Sequence, residues 1–98
     1  MIKISIIGAG KISDQYIKVL RSFKNVKIEG IISKSEKSSK IKSQKFNIPY
    51  FGNSIDQMMV QIKPDIVIVC VTPTETLKVC FNLFKYNCIS LIEKPLGL

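Results

Sequence analysis

The sequence contains no histidine, a single arginine (Arg21), and no unbroken run of aliphatic residues and cysteine longer than the six from Ile66 to Val71. Each shortage closes off a class of protein. Six residues fall far short of the roughly 20 apolar residues that span a bilayer, so no membrane partner is expected. The N-terminus offers one lysine before a short apolar run that ends in glycines. That makes no convincing signal peptide, and the chain reads as cytoplasmic. Cys70, Cys80 and Cys88 are odd in number, stand at no zinc-like spacing and have no histidine to join them. They read as small buried hydrophobes kept reduced in the cytosol, and no metal site is expected. With one arginine and no aromatic set interleaved among the lysines, nucleic acid ranks last among partners despite a net charge of +8.

What the sequence does have is lysine and apolar side chains. Fourteen of the fifteen basic residues are lysine, and isoleucine and asparagine are also plentiful. Genome base composition produces such a pattern as readily as function does. Lysines 34, 37, 40, 42 and 45 form the densest basic stretch. Its simplest reading is a solvated helix face, and its sharper one a field that attracts an anionic ligand. A hydrophobic fraction of 46% suffices for the core of one small domain.

The apolar pattern alternates in type along the chain. Ile2 to Ile7 is a β-rich run, and Ile12, Tyr16, Val19, Leu20 and Phe23 then mark one face of a helix. Val26 to Ile32 is a second strand. Ser35 to Lys45 permits a helix with only Ile41 and Phe46 as its apolar side, and Tyr50-Phe51 is a very short strand. Ser54 opens a helix with Ile55, Met58, Met59 and Ile62 on one face, and Ser54 with Gln57 fits a capping box. Ile66 to Val71 has no polar alternation and is expected to be buried on both faces. A helix with Leu77, Cys80, Phe81 and Phe84 inward follows, closed by Asn87, and Cys88 to Ile92 is the last strand. Strands alternating with helices predict parallel strands joined by crossover helices. The expected fold is α/β: a doubly wound parallel sheet in a Rossmann-like three-layer α/β/α arrangement over residues 1–98.

The first strand runs into "IIGAGKIS". In a dinucleotide-binding turn the first glycine allows a tight turn, the second lets a diphosphate approach the backbone, and the third allows close helix packing. Gly8 and Gly10 meet the first two demands, and Ser13 stands at the third, where smallness matters more than glycine. The N–H groups of the helix that starts near Ile12 are then placed to hold the diphosphate. Twenty residues past Ser13, where an NAD-binding protein places an acid for the ribose 2′-hydroxyl, stand Ser33 and Lys34. A hydroxyl and a cation there favour NADP modestly over NAD. The competing reading is that Ser33, in Ser33-Lys34-Ser35-Glu36, simply caps the next helix. At "VTPTET", Thr72 fits an N-cap, Pro73 the first helical residue and Glu75 the reciprocal capping partner. The carboxyl end of a strand is also where such sheets bind ligands. "EKP" at Glu93 to Pro95 follows the last strand at the same sheet edge, and its lysine is either a ligand-facing donor or an ordinary loop residue paired with Glu93.

The glycine turn, the "TP" that opens the helix after the fourth strand and the "EKP" after the fifth together resemble the Gfo/Idh/MocA oxidoreductases, over the whole chain in order and spacing. The resemblance implies an NAD(P)-dependent dehydrogenase acting on sugars, nucleotide sugars or polyols. It implies a diphosphate turn of Gly8, Gly10, Lys11 and Ile12, and Ser33 and Lys34 at the adenosine ribose. Thr72, Pro73 and Thr74 would line the dinucleotide path, with Glu93, Lys94 and Pro95 by the nicotinamide. Lys94 looks like the family lysine that contacts the reacting hydroxyl and assists its proton transfer. Two positions depart from the family pattern: Leu77 stands where a histidine is common, and Ser13 where Gly or Ala is usual. The resemblance further implies a C-terminal substrate domain, absent here, through which the parent would form a homo-oligomer. The 98 residues are therefore expected to be a fragment that binds cofactor weakly and turns over nothing. The chief rival is a non-catalytic, NAD-sensing regulatory module, which accounts for the glycine turn but not for EKP. An S-adenosylmethionine methyltransferase fits less well, since Ser33 replaces the acid such proteins usually need.

Overall fold

A computed structural model describes residues 1–92. In order, they form β1 (Ile2–Ile7), α1 (Lys11–Leu20), β2 (Val26–Ile32), α2 (Glu36–Phe46), β3 (Tyr50–Gly52), α3 (Ile55–Ile62), β4 (Ile66–Val69), α4 (Pro73–Leu83) and β5 (Ile89–Ile92). The five strands make one sheet in the order β3-β2-β1-β4-β5, and every neighbouring pair is parallel. Strands that alternate faces residue by residue divide the core in two. Ile4, Ile6, Ile28, Ile31 and Ile68 face Ile17 of α1, with Phe46 of α2 packed alongside. Ile7, Ile32, Val67 and Val69 face Met58 and Met59 of α3 and Val79 and Leu83 of α4. The doubly wound, three-layer expectation holds.

Helix rotation is where the sequence reading needs correction. In α4 the expected inward set is on the wrong side: Leu77, Phe81 and Phe84 are 68%, 75% and 90% exposed, whereas Val79 and Leu83 are buried. This helix carries apolar residues on two faces, so periodicity alone could not choose between them. The crossover from β4 sets the rotation. α1 turns similarly: Ser13 and Ile17 form its buried line, Tyr16 and Leu20 flank it, and Val19 and Phe23 are exposed. In α2 the expected apolar Ile41 is exposed, and the buried residues are Ser39 and Ser43. Their small side chains seat the helix close to the sheet, and the Ser39 hydroxyl donates to the Gly52 carbonyl at 2.8 Å. β4 ends at Val69, two residues before the expected Val71, and α4 ends at Leu83, before Asn87. The three cysteines are half-buried and form no disulfide among the described residues.

The lysine-rich stretch is not only a solvated face. Lys42 and Lys45 of α2 both donate to the Asp14 carboxylate of α1, Lys45 at 3.4 Å. Burial alone would raise the Asp14 carboxyl, but hydrogen bonds and charge from Lys42 and then Lys45 outweigh it and hold the group below the usual carboxylate range. A carboxyl depressed in the folded state stabilises the fold above its unfolded value, and that contribution is lost as pH falls through the folded value. Stability measured from pH 6 downward is therefore expected to decline in acid below about pH 4. Asp14→Asn should lower stability at pH 6 by about 0.5–1 kcal/mol and flatten that decline. An unchanged pH profile in the variant would refute the assignment.

Candidate functional site

In an open parallel sheet, ligands bind beyond the carboxyl ends of the strands, where the chain direction of winding reverses. Here that point lies between β1 and β4, and a cleft of about 510 Å³ opens there. Its wall draws on the segments that follow four strands: Gly8 to Gly10 after β1, Ser33 and Lys34 after β2, Asn53 after β3, and Val71 and Thr72 after β4.

The two glycines of the turn have different tasks. Gly8 has φ +118°, and a Cβ there would stand 2.1 Å from the Cys70 carbonyl oxygen. Its own N–H donates to the Ile32 carbonyl at 2.7 Å. Gly8 is thus required by the protein itself, because the chain after β4 passes directly against it. Gly10 is not. Its φ of −87° suits any residue, and a Cβ built there meets nothing within 4 Å. Gly10 is the N-cap of α1, with no side chain to satisfy the first-turn amides. Gly10 itself lines the cleft and has open space over it, and uncapped amides at a positive helix end are the feature that receives an anion at a helix N-terminus. Ser13, at the third glycine's place, is fully buried, and its hydroxyl donates to the Gly10 carbonyl at 2.6 Å. Serine is small enough for the helix packing and also fastens the turn.

Around β2, Ser33 does not cap α2. That role belongs to Ser35, whose hydroxyl accepts from the Ser38 N–H at 3.3 Å. The Ser33 hydroxyl donates instead to the Ser35 carbonyl at 2.6 Å. With that proton engaged, the Ser33 oxygen is left as an acceptor, and Lys34 is the charged donor beside it. At α4, Thr72 is the N-cap and Pro73 opens the helix as expected, but the threonine makes no side-chain cap; its hydroxyl lies 3.1 Å from that of Thr74. Glu75 is not the reciprocal capping partner either, because its carboxylate accepts from Lys34 at 2.6 Å, across the cleft.

The structure therefore brings Gly8, Gly10, Ser33, Lys34 and Thr72 to one cleft. Lys11, Ile12, Pro73 and Thr74 sit in the adjoining first turns of α1 and α4, outside the cleft wall. Glu93, Lys94 and Pro95 lie outside the described residues. The sequence reading missed Glu75, Lys78 and Asn53 as wall residues. Asn53 directly follows a strand, and Lys78 stands one helical turn past Glu75, so both positions carried a signal.

A glycine turn leading into a helix N-terminus, at the reversal point of a parallel sheet, defines a dinucleotide-binding domain of the Rossmann type. The chain belongs to the Gfo/Idh/MocA oxidoreductase family: the model of that family, described as having an NAD-binding Rossmann fold, matches residues 2–98. It is an NAD(P)-binding domain of that family. Solved structures with the same fold include an oxidoreductase from Agrobacterium radiobacter in complex with NAD+, L-tartaric acid and magnesium (TM-score 0.87, 17% identity, covering 96% of this chain and 28% of that one). Another is apo scyllo-inositol dehydrogenase from Lactobacillus casei (0.83, 18%, 100% and 30%). A third is a variant 3-ketoreductase from Actinomadura kijaniata in complex with TDP-benzene and NADP (0.84, 18%, 97% and 29%). The chain spans about 27–30% of the length of the solved structures it matches. No curated protein has a matching sequence.

Proposed function

We propose that this domain serves a dehydrogenase or reductase that moves a hydride between a nicotinamide cofactor and a hydroxyl or carbonyl of a sugar, nucleotide sugar or polyol. The observation that carries the reading is Gly10. The protein has no conformational or packing reason for glycine there, and the missing side chain leaves room for an anion over uncapped amides. NAD(P) carries such an anion in its diphosphate, and when bound it supplies the hydride donor or acceptor. In this reading Gly8, Gly10, Lys11 and Ile12 form the diphosphate turn and Ser33 and Lys34 meet the adenosine ribose, with NADP modestly preferred. Thr72, Pro73 and Thr74 follow the dinucleotide. Lys94, two residues past the end of β5 in the sequence, assists proton transfer at the reacting hydroxyl. Inositol dehydrogenases and a ketoreductase among the structural neighbours support the substrate class. Hydride transfer requires the substrate held within near-attack distance. That task is assigned to a further domain, with which a homo-oligomer would be built in the cytoplasm.

The test uses this domain joined to a substrate domain, with Lys94→Met. Turnover is expected to fall by about 100-fold or more, as for loss of a positioned acid–base group, while NADP still raises the melting temperature. Undiminished turnover would remove Lys94 from the chemistry. A protein that never turns over, yet responds to dinucleotide identically with and without Lys94, would be a sensor instead.

A further inference from the structure

The sequence offers no carboxylate at the end of β2, but the fold delivers one from another element. Glu75, in the first turn of α4, reaches Lys34 across 41 residues of sequence, and both side chains line the cleft. The Lys34 side chain is 77% exposed and that of Glu75 25%. The hydrogen bond from Lys34, partly opposed by desolvation and aided by the charges of Lys34 and Lys78, holds the Glu75 carboxyl below its ordinary range. Glu75 is therefore ionised at neutral pH.

We propose that Glu75 is a cofactor-discriminating residue: by occupying Lys34 it weakens a ribose 2′-phosphate relative to a 2′-hydroxyl. This rests on the reading that the cleft holds a dinucleotide. Lys34 is the donor that a 2′-phosphate would seek, because the Ser33 hydroxyl is already donating to the Ser35 carbonyl. A phosphate there either displaces the Glu75 carboxylate or shares one ammonium with it, and two anions so close repel each other. A 2′-hydroxyl meets no such conflict, since an ionised carboxylate accepts its hydrogen bond. Glu75 thus does from α4 what an acid at the end of β2 does in NAD-binding domains, and it limits the advantage that Lys34 gives NADP.

The experiment titrates the 98-residue chain with NADP+ and NAD+ by calorimetry at low ionic strength, with Glu75→Gln, Lys34→Met and the double variant, each checked for an unchanged melting temperature. Glu75→Gln is expected to raise the ratio of NADP+ to NAD+ affinity about three- to tenfold, the range for a freed charge at a partly exposed site. Lys34→Met should lower that ratio. On the Lys34→Met background, Glu75→Gln should have a smaller effect, because the competition for Lys34 is gone. If both dinucleotides bind and Glu75→Gln leaves the ratio unchanged, the role of Glu75 is overturned and the cleft reading stands. If the parent chain binds neither, even weakly at the highest dinucleotide concentrations that dissolve, the cleft reading falls and takes this inference with it.

Discussion

Gly8→Ala is expected to destabilise the domain by at least about 3 kcal/mol, a large share of the roughly 5–15 kcal/mol that holds such folds. Two costs add. A φ of +118° is a conformation side chains rarely adopt, and the new Cβ would stand 2.1 Å from the Cys70 carbonyl oxygen and 2.7 Å from its carbon. Neither atom belongs to a flexible side chain that could swing away. They belong to the backbone just after β4, held by the Cys70 N–H donating to the Ile7 carbonyl at 2.8 Å. Relief would require β1 and β4 to part at the centre of the sheet, where Ile7 and Val69 are paired and buried. Denaturant unfolding of the variant beside the parent measures the loss. A variant within 1 kcal/mol of the parent, on the scale of ordinary surface changes, would show that the turn adapts and that Gly8 is not a structural requirement.

How far the sequence made this legible depends on which physical constraint fixed each feature. The alternation of strands and helices was readable because residues buried on both sheet faces, such as Val67 to Val69, leave continuous apolar runs. The glycine turn was readable because a positive φ and a close backbone approach at Gly8 both select glycine. The rotation of α4 was not, since Leu77, Phe81 and Phe84 compete with Val79 and Leu83 and only the tertiary crossover decides between them. The seat of α2 was hidden for another reason. Ser39 and Ser43 are polar in sequence yet buried, because their hydroxyls find carbonyl acceptors on Gly52 and Lys40. Glu75 was misplaced because local capping chemistry and a partner 41 residues away make equal use of a carboxylate in a first helical turn. Local patterns identify what a residue can do, and long-range contacts select which option is used.

The exposed face beside β5 follows from the same rotation. With Phe81 and Phe84 turned outward and Ile89, Leu91 and Ile92 all exposed, this side of the described residues presents apolar surface. Among the described residues, β5 pairs only with β4. The cleft lies on the other side of α4's axis from this stripe, lined by Glu75, Lys78 and Val79, so the cleft and the apolar stripe use separate faces of one helix.

Gly10→Val separates the cofactor role of the turn from its structural role. An extended backbone at φ −87° accepts a β-branched residue, and among the described residues no atom beyond the chain neighbours lies within 4 Å of the new Cβ. Stability should stay within about 1 kcal/mol of the parent, the combined range of a changed N-cap and a stiffer unfolded chain. The added methyl groups would fill the space over the α1 amides, so affinity for NADP+ and NAD+ alike should fall by about 100-fold, equivalent to about 2.7 kcal/mol. One calorimetric titration of the folded variant with NADP+, beside the parent chain, decides the matter. Binding retained by the parent and lost from an intact Gly10→Val places the diphosphate at the start of α1. Equal binding by both would put the dinucleotide elsewhere and contradict the account.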